Sequence, residues 1–376
     1  MYHITRFFID NFKSLHNFTI PFPNSSENRF LCLIGKNGAG KSTVLQAVDF
    51  VGEIFRGEIS SWLKSRNWGK RDISSFQRMR NIALEIEGRF NEHTISWTAS
   101  FNLQQLRCTQ EKIKIDNNLI LFVADGKYKF FEENEVKNIF AYEGSLLSIL
   151  GKGTLESKGL ASFFTFMKKM YSFDTLNSKQ LRMRTRSVDA DTNIGRGGEF
   201  LSGKIASFSV EERKKLLSKV QKFYPWIIRM HTSPLRGGWN EIFFWEKYKD
   251  DSIHRVSSQN SCDGLLRLVG FLTEFMTSDT FIVFDEIENG FNPEIMEKLV
   301  QIITKCRKQI IITTHNPVII NYMQDDIAIE STLLIYRKQD GTTGIRPFFE
   351  IPEVRERLSY LSPGEAFLDV DIDNIV

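Results

Sequence analysis

Gly35-Lys-Asn-Gly-Ala-Gly-Lys-Ser-Thr43 follows the apolar run Phe30-Leu-Cys-Leu-Ile34 without a break and runs on into Val44-Leu-Gln-Ala-Val48. Strand, glycine-rich turn and helical pattern in that order are the setting of a phosphate-binding loop. Gly35, Gly38 and Gly40 let the backbone curl so that successive N–H groups point at phosphate oxygens. Lys41 has the reach and charge for the β- and γ-phosphates, and Ser42 offers a hydroxyl to Mg²⁺. The helix N-terminus adds its partial positive charge. Lys36, Asn37, Ala39 and Thr43 complete the stretch. The motif predicts binding of a nucleoside triphosphate with Mg²⁺.

A second constellation narrows the chemistry. Thr280 to Glu286 reads TFIVFDE, an apolar strand ending in two carboxylates. Asp285 is placed to hold Mg²⁺ through water, and Glu286, pointing differently, to orient and deprotonate an attacking water. The turn Asn289-Gly-Phe-Asn-Pro293 leads into a helix expected over Glu294–Cys306, and then into the apolar strand Gln309–Thr313. His315 follows at the carboxyl end of that strand, where ligands bind in open α/β sheets, and is expected to contact a γ-phosphate.

The ordered set GKNGAGKST, SCDGLLRL (Ser261–Leu268), FIVFDEIENGFNP (Phe281–Pro293) and TTHNP (Thr313–Pro317) resembles the ABC-type ATPases of the RecF/SMC branch. More narrowly it is similar to the compact AAA-21/AAA-15 ATPases common in bacterial antiphage systems. The opening Ile9-Asp-Asn-Phe-Lys-Ser14 fits their first strand, and Leu181–Arg184 with Ile194–Leu201 resembles their middle segment. The resemblance spans most of residues 1–345.

That resemblance implies an α/β fold: an ABC-type P-loop ATPase head with an antiparallel β lobe and an inserted helical lid subdomain. It implies ATP as the nucleotide, Asn289 as the D-loop residue, and Gln77 as a loop glutamine sensing Mg²⁺. It also implies that Ser261, Cys262, Asp263 and Gly264 form a signature acting in trans. At the start of a helix, this segment would cap the γ-phosphate held by a second subunit. Two chains would then sandwich two ATP molecules in a homodimer, or within a higher homo-oligomer. The family reads close to LSDGTLRLL here, which sets Cys262 at the serine and Leu265 at the threonine. A thiol is a weaker donor than a hydroxyl; Ser261 substitutes if the loop shifts by one. Slow hydrolysis, with dimerisation mattering more than turnover, is the expectation.

Composition agrees. The chain has 376 residues, 41% of them hydrophobic, enough for a sizeable core. It has no 18-residue apolar run and no signal-peptide pattern at Met1–Arg6, so a soluble cytoplasmic protein is expected. Four scattered cysteines without CxxC spacing (Cys32, Cys108, Cys262, Cys306) argue against a zinc site or disulfide framework. No heptad run lasts three repeats, so no long coiled coil is expected. With 61 residues beyond His315, any nuclease would be a separate chain. The organisation reads as lobe I with the phosphate loop and a β meander (1–139), a helical and loop-rich lid (140–260), lobe II (261–345) and a tail (346–376). The meander's alternation runs from Asn81 to Phe131, with a turn at Asp125-Gly126. Glu211–Val220 reads as an amphipathic helix, and Glu241–Tyr248 with Ile253–Val256 as a hairpin.

The net charge is only +3, so nucleic acid would need local patches. Lys64, Arg66, Lys70, Arg71, Arg78 and Arg80 face one acid, Asp72, with Trp62 and Trp68 interleaved; Lys179, Arg182, Arg184 and Arg186 form a second run, three of them on one face if extended. These are candidate nucleic-acid or partner contacts beside the plainer reading of a solvated surface. Asp369, Asp371 and Asp373 mimic a metal set, but a solvated acidic or partner-docking end is the better reading. The favoured role is an ATP-dependent sensor or regulator of a separately encoded effector, a nuclease or toxin, in antiviral defence. The alternatives are a RecF-like DNA-repair ATPase and an ATP-bound scaffold that does not turn over.

Overall fold

The computed structural model describes residues 2–23, 29–124, 126–130, 136–138, 141–150, 158–173, 176–189, 192–277 and 281–372. The chain forms two compact units: residues 1–172, 280–283 and 302–376, and residues 173–279 with 284–301.

The first unit is built on two sheets. Its antiparallel sheet runs in the order β2 (Phe18–Ile20), β1 (Tyr2–Asp10), β4 (Ile82–Phe90), β5 (His93–Asn102), β6 (Arg107–Ile115), β7 (Asn118–Ala124), β8 (Lys127–Phe130), β9 (Val136–Asn138). Alternating burial along β4 and β5 lays one face on the core, as period-two patterning requires. Gly126 takes the left-handed conformation in the β7–β8 turn; Asp125 lies outside the described residues. The other sheet has the order β10 (Tyr171–Phe173), β15 (Phe281–Phe284), β16 (Gln309–Thr313), β3 (Phe30–Ile34), β17 (Thr332–Arg337), β18 (Thr343–Pro347). β3 lies between parallel neighbours and is buried along its whole length, which is why it reads as an unbroken apolar run.

Side chains tie the two sheets together. The buried Gln309 side chain mimics a strand partner: Ile4 N donates to its Oε1 at 2.8 Å and its Nε2 donates to Ile4 O at 2.8 Å. The helix Lys41–Arg56 fills the core with Phe50 and Phe55, the latter against Trp97 and Phe163 at ring separations of 4.9 and 5.6 Å. It ends where Gly57 turns left-handed and donates to Glu53 O at 2.9 Å. The Glu111 carboxylate is wholly buried and accepts from Trp97 Nε1 at 2.8 Å, Ser145 Oγ at 2.5 Å and Leu146 N at 2.8 Å. Burial still pushes its carboxyl above the usual range.

The second unit carries an antiparallel sheet in the order β11 (Thr185–Arg186), β13 (Trp239–Lys247), β12 (Ile227–Pro234), with β14 (Ile253–Ser257) also paired to β13. The hairpin expected at Glu241–Val256 is thus part of a broader sheet. The helix Val210–Gln221 starts with a capping box, Ser209 with Glu212. The helix Asp263–Thr277 supplies Leu266, Leu268 and Phe271 to this unit's core.

Near the carboxyl end the helix Pro363–Asp369 is capped reciprocally by Ser362 and Glu365. Asp369 ends that helix and accepts from Arg357 Nε at 2.6 Å, so it shares no strand face with Asp371; Asp373 lies outside the described residues. Among the described residues no helix is long and apolar enough to cross a membrane.

Candidate functional site

The phosphate loop sits in the first unit between β3 and the helix Lys41–Arg56. Gly35, Gly38 and Gly40 all have positive φ, at 149°, 80° and 110°. A Cβ on Gly35 would lie 2.2 Å from Ile335 O, and one on Gly40 would lie 2.2 Å from Thr343 Oγ1, so both are fixed by close approach. Gly38 has open space where a Cβ would point. The buried Lys41 Nζ donates to Gly35 O at 2.7 Å and Lys36 O at 3.1 Å, arching the loop around its own charge. The helix that follows has no side-chain N-cap and no acid in its first turn, leaving its amide end suited to an anion. A cation, a glycine cradle and an acid-free helix end together fit the phosphates of a nucleotide.

Residues far away in sequence hold this loop, and neither composition nor spacing points to them. Thr343 Oγ1 donates to Ala39 O at 3.2 Å and lies 2.7 Å from Ser14 Oγ. The preceding loop is strained, with Asn11, Lys13 and Asn17 at φ of 65°, 48° and 42°. Lys13 Nζ donates to Gln46 Oε1 at 2.9 Å and sits 3.2 Å from the centre of the Trp68 ring. Burial, with Arg66 close by, lowers its pKa to about 8.

His315 is exposed at the carboxyl end of β16, whose Thr313 pairs with Leu33 of β3. Thr314 N donates to Leu33 O at 3.1 Å, and its hydroxyl accepts from Asn316 N at 2.9 Å. His315 and the phosphate loop therefore follow the carboxyl ends of adjacent parallel strands, where open α/β sheets bind ligands. β15, on the other side of β16, leads directly to Asp285 and Glu286.

Asp285 and Glu286 belong to the second unit. Asp285 N donates to Phe173 O at 3.0 Å. Glu286 has φ 47°, a left-handed conformation unusual for its residue type, and accepts from Asn289 Nδ2 at 2.5 Å. Arg267 Nη1 donates to Asn289 O at 2.9 Å, linking the signature helix to this turn. The neighbouring Gly290, at φ 82°, would drive a Cβ to 2.6 Å from the Arg267 side chain.

In the signature, Ser261 is buried and its hydroxyl donates to Ser257 O at 3.0 Å, whereas Cys262 is exposed directly before the helix Asp263–Thr277. Arg182 Nη2 donates to both Ser261 O and Asp263 Oδ1, each at 2.6 Å. The Ser178 hydroxyl and then Arg182 hold the Asp263 carboxyl below its usual range. A Cβ on Gly264 would lie 2.8 Å from Tyr224 Oη, so a side chain there would have to displace that hydroxyl.

The basic runs are engaged within the fold only in part. Trp62 is buried and donates from Nε1 to Asp49 Oδ2 at 2.7 Å; Arg66 Nη2 reaches the same oxygen at 2.7 Å. Lys70 Nζ donates to Gln104 O at 2.7 Å, and Lys64 and Arg71 are exposed. The side chain of Gln77 lies outside the described residues. Arg182, Arg184 and Arg186 do not share one extended segment. Arg182 closes the short helix Ser178–Leu181, Arg184 pairs with the buried Glu241 at 2.9 Å, and Arg186 in β11 lies over Trp239.

A family model described as "AAA ATPase domain" matches residues 2–224, and one described as "AAA domain, putative AbiEii toxin, Type IV TA system" matches residues 150–321. No curated protein matches the chain. Among solved structures, an SmcHead bound to the C-winged helix domain of ScpA aligns at TM-score 0.54 and 14% identity, covering 92% of this chain and 97% of that one. An Smc head domain with an extended coiled coil, bound to the C-terminal domain of ScpA derived from Pyrococcus furiosus, aligns at TM-score 0.51 and 12% identity, covering 96% and 100%. The shared fold is that of an SMC-type ATPase head.

Proposed function

Because the chain belongs to the AAA ATPase domain family, we propose that it is an ATP-driven switch that hydrolyses ATP slowly and controls a separately encoded effector in antiviral defence. In this reading Lys41 and the loop amides bind the β- and γ-phosphates, and bound Mg²⁺ offsets their charge. Ser42 would offer its hydroxyl to the ion and Asp285 would hold it through water. Glu286 orients and deprotonates the attacking water, Asn289 steadies Glu286, and His315 answers the γ-phosphate. The signature Ser261–Gly264 completes the site of a second copy, so that two chains close on two nucleotides in a twofold arrangement. Closure and release of that dimer are what an effector would sense.

The position of Cys262 is the observation that carries the switch reading. The hydroxyl beside it is turned inward, so a thiol stands at the exposed helix start where the related ATPases place a serine. A weaker donor there favours slow turnover over rapid cycling. The defence setting rests on the resemblance to antiphage ATPases and on the toxin–antitoxin wording of one matching family model.

Light scattering of Glu286→Gln protein with and without MgATP tests the dimer, which should double the mass. Affinity purification of tagged protein, followed by mass spectrometry, tests the effector. A stoichiometric nuclease or toxin supports regulation; a solitary ATPase moves the reading to direct action on DNA. Turnover no higher than that of Lys41→Ala protein would leave only an ATP-bound scaffold.

A further inference from the structure

One face of the second unit's sheet combines charge and aromatic rings in a way the ATP site does not use. Along β13 Trp239, Glu241, Phe243 and Trp245 share one face, on which Trp239 is exposed, Phe243 and Trp245 are half-buried and Glu241 is buried, while Asn240, Ile242 and Phe244 lie on the other. Strand register sets Trp245 directly opposite Arg229 of β12 on one side and Arg255 of β14 on the other. Both guanidinium groups lie over its ring, at 4.7 and 5.5 Å from the centroid, and Arg255 also lies 3.7 Å from the centre of Phe243. At the far end of the same strand Arg186 lies 5.8 Å from the centre of Trp239, which is exposed. The face thus repeats an arginine-on-aromatic pairing over six residues of strand, roughly 20 Å.

These cations are not answered by acids. Among the described residues, Arg229 and Arg255 have no carboxylate partner; Arg255 reaches only Ser233 Oγ, at 3.4 Å. Glu241, the acid on this face of β13, is buried and already held by Arg184 and by the Ser257 hydroxyl. His231, opposite Phe243, is kept below its usual pKa range by burial and then by Arg213, Arg229 and Arg255, so it adds no competing charge near neutral pH. A surface of exposed guanidinium groups laid on aromatic faces calls for a ligand carrying both regular negative charge and flat rings. An acidic peptide offers only the charge, and a duplex hides its ring faces in the stack. We propose that this face binds single-stranded nucleic acid, with bases stacking on Trp245, Phe243 and Trp239 and phosphates meeting Arg229, Arg255 and Arg186. The inference rests on this unit alone and stands or falls apart from the ATP-switch reading.

Titration of the full chain with a labelled oligothymidylate, followed by anisotropy and tryptophan quenching, tests it. The logarithm of affinity should fall with the logarithm of salt with a slope of about −0.7 for each phosphate neutralised. Arg229→Glu/Arg255→Glu should weaken binding by about tenfold or more and flatten that slope. Trp245→Ala should weaken it roughly fivefold to a hundredfold, with Trp245→Tyr retaining most of the affinity. Lys64→Glu/Arg71→Glu, on the other unit, should leave it unchanged. Circular dichroism melting of each variant separates lost binding from lost fold, and the milder Arg229→Gln/Arg255→Gln serves where the charge reversal unfolds the sheet. No binding by the wild-type chain would overturn the proposal. So would equal binding of duplex or of polyglutamate with no effect of Trp245→Ala, which would assign the face to electrostatic or protein contacts.

Discussion

Asn289 Nδ2 donates to Glu286 Oε2 at 2.5 Å, while the Glu286 backbone sits in the left-handed region. A strained carboxylate fixed by an amide is pre-aimed, and such strain costs on the order of 1–3 kcal/mol. Glu286→Gln should lower ATP turnover by about 10²–10⁴-fold with nucleotide affinity intact. Asn289→Ala should lower it less, about tenfold, the equivalent of one hydrogen bond of about 1.4 kcal/mol. Glu286→Gly should be inactive yet about 1 kcal/mol more stable by thermal denaturation, since the strain is relieved.

The Ser261 hydroxyl is bonded inward to Ser257 O, while Cys262 is exposed at the helix start. Cys262→Ser should therefore raise steady-state ATP turnover, since a hydroxyl donates better than a thiol. Ser261→Ala should leave turnover unchanged and cost about 1 kcal/mol of stability through the lost bond to Ser257 O. The reverse pattern would place Ser261 at the nucleotide.

Gly40 cannot accept a side chain. With φ at 110° and Thr343 Oγ1 2.2 Å from its would-be Cβ, Gly40→Ala should abolish nucleotide binding in calorimetry by displacing the loop. Thr343→Ala removes the donor to Ala39 O and should weaken nucleotide binding about tenfold while the chain stays folded.

Lys13 gives the loop a pH signature. Its pKa falls from 10.5 to about 8 on folding, so between those values the unfolded chain holds the extra proton. Stability should rise with pH across that window, the full cost of burying the ammonium being present below it. Lys13→Met should remove this rise from a plot of melting temperature against pH.

Glu111 satisfies three buried donors at once. Glu111→Ala should destabilise the first unit by about 3 kcal/mol or more, because the Trp97, Ser145 and Leu146 donors are then left unmet. Glu111→Gln should cost less, since an amide still offers an acceptor.

The elements whose patterns are local were legible in the sequence. An unbroken apolar β3 followed by the glycine turn announced the phosphate loop, and the alternation of β4 to β7 announced the antiparallel lobe. The expected fold class, an ABC-type head with an antiparallel lobe, is the one found, and no long coiled coil occurs among the described residues. What failed to show were relationships across distance. Nothing in Trp62 or Arg66 says that Asp49 draws both inward, because a cation-and-aromatic run reads alike whether it faces water or a buried carboxylate. Arg182 looked like one of a basic stripe until it was found 81 positions from its partner Asp263. The arginine-and-tryptophan face on β12–β14 escaped notice for the same reason: its residues are spread singly over three strands, and only register brings them opposite one another.

Ser14 and Thr343, 329 positions apart, meet behind the phosphate loop. On the ribosome the loop is made well before its supporting hydroxyl, because Thr343 lies 304 positions after Ala39. Until Thr343 emerges, a nascent chain carries the whole Gly35–Thr43 motif without the wall that shapes it. Tight capture of nucleotide should therefore begin only once that segment has folded back, which keeps chains stopped before it out of the ATP-bound pool.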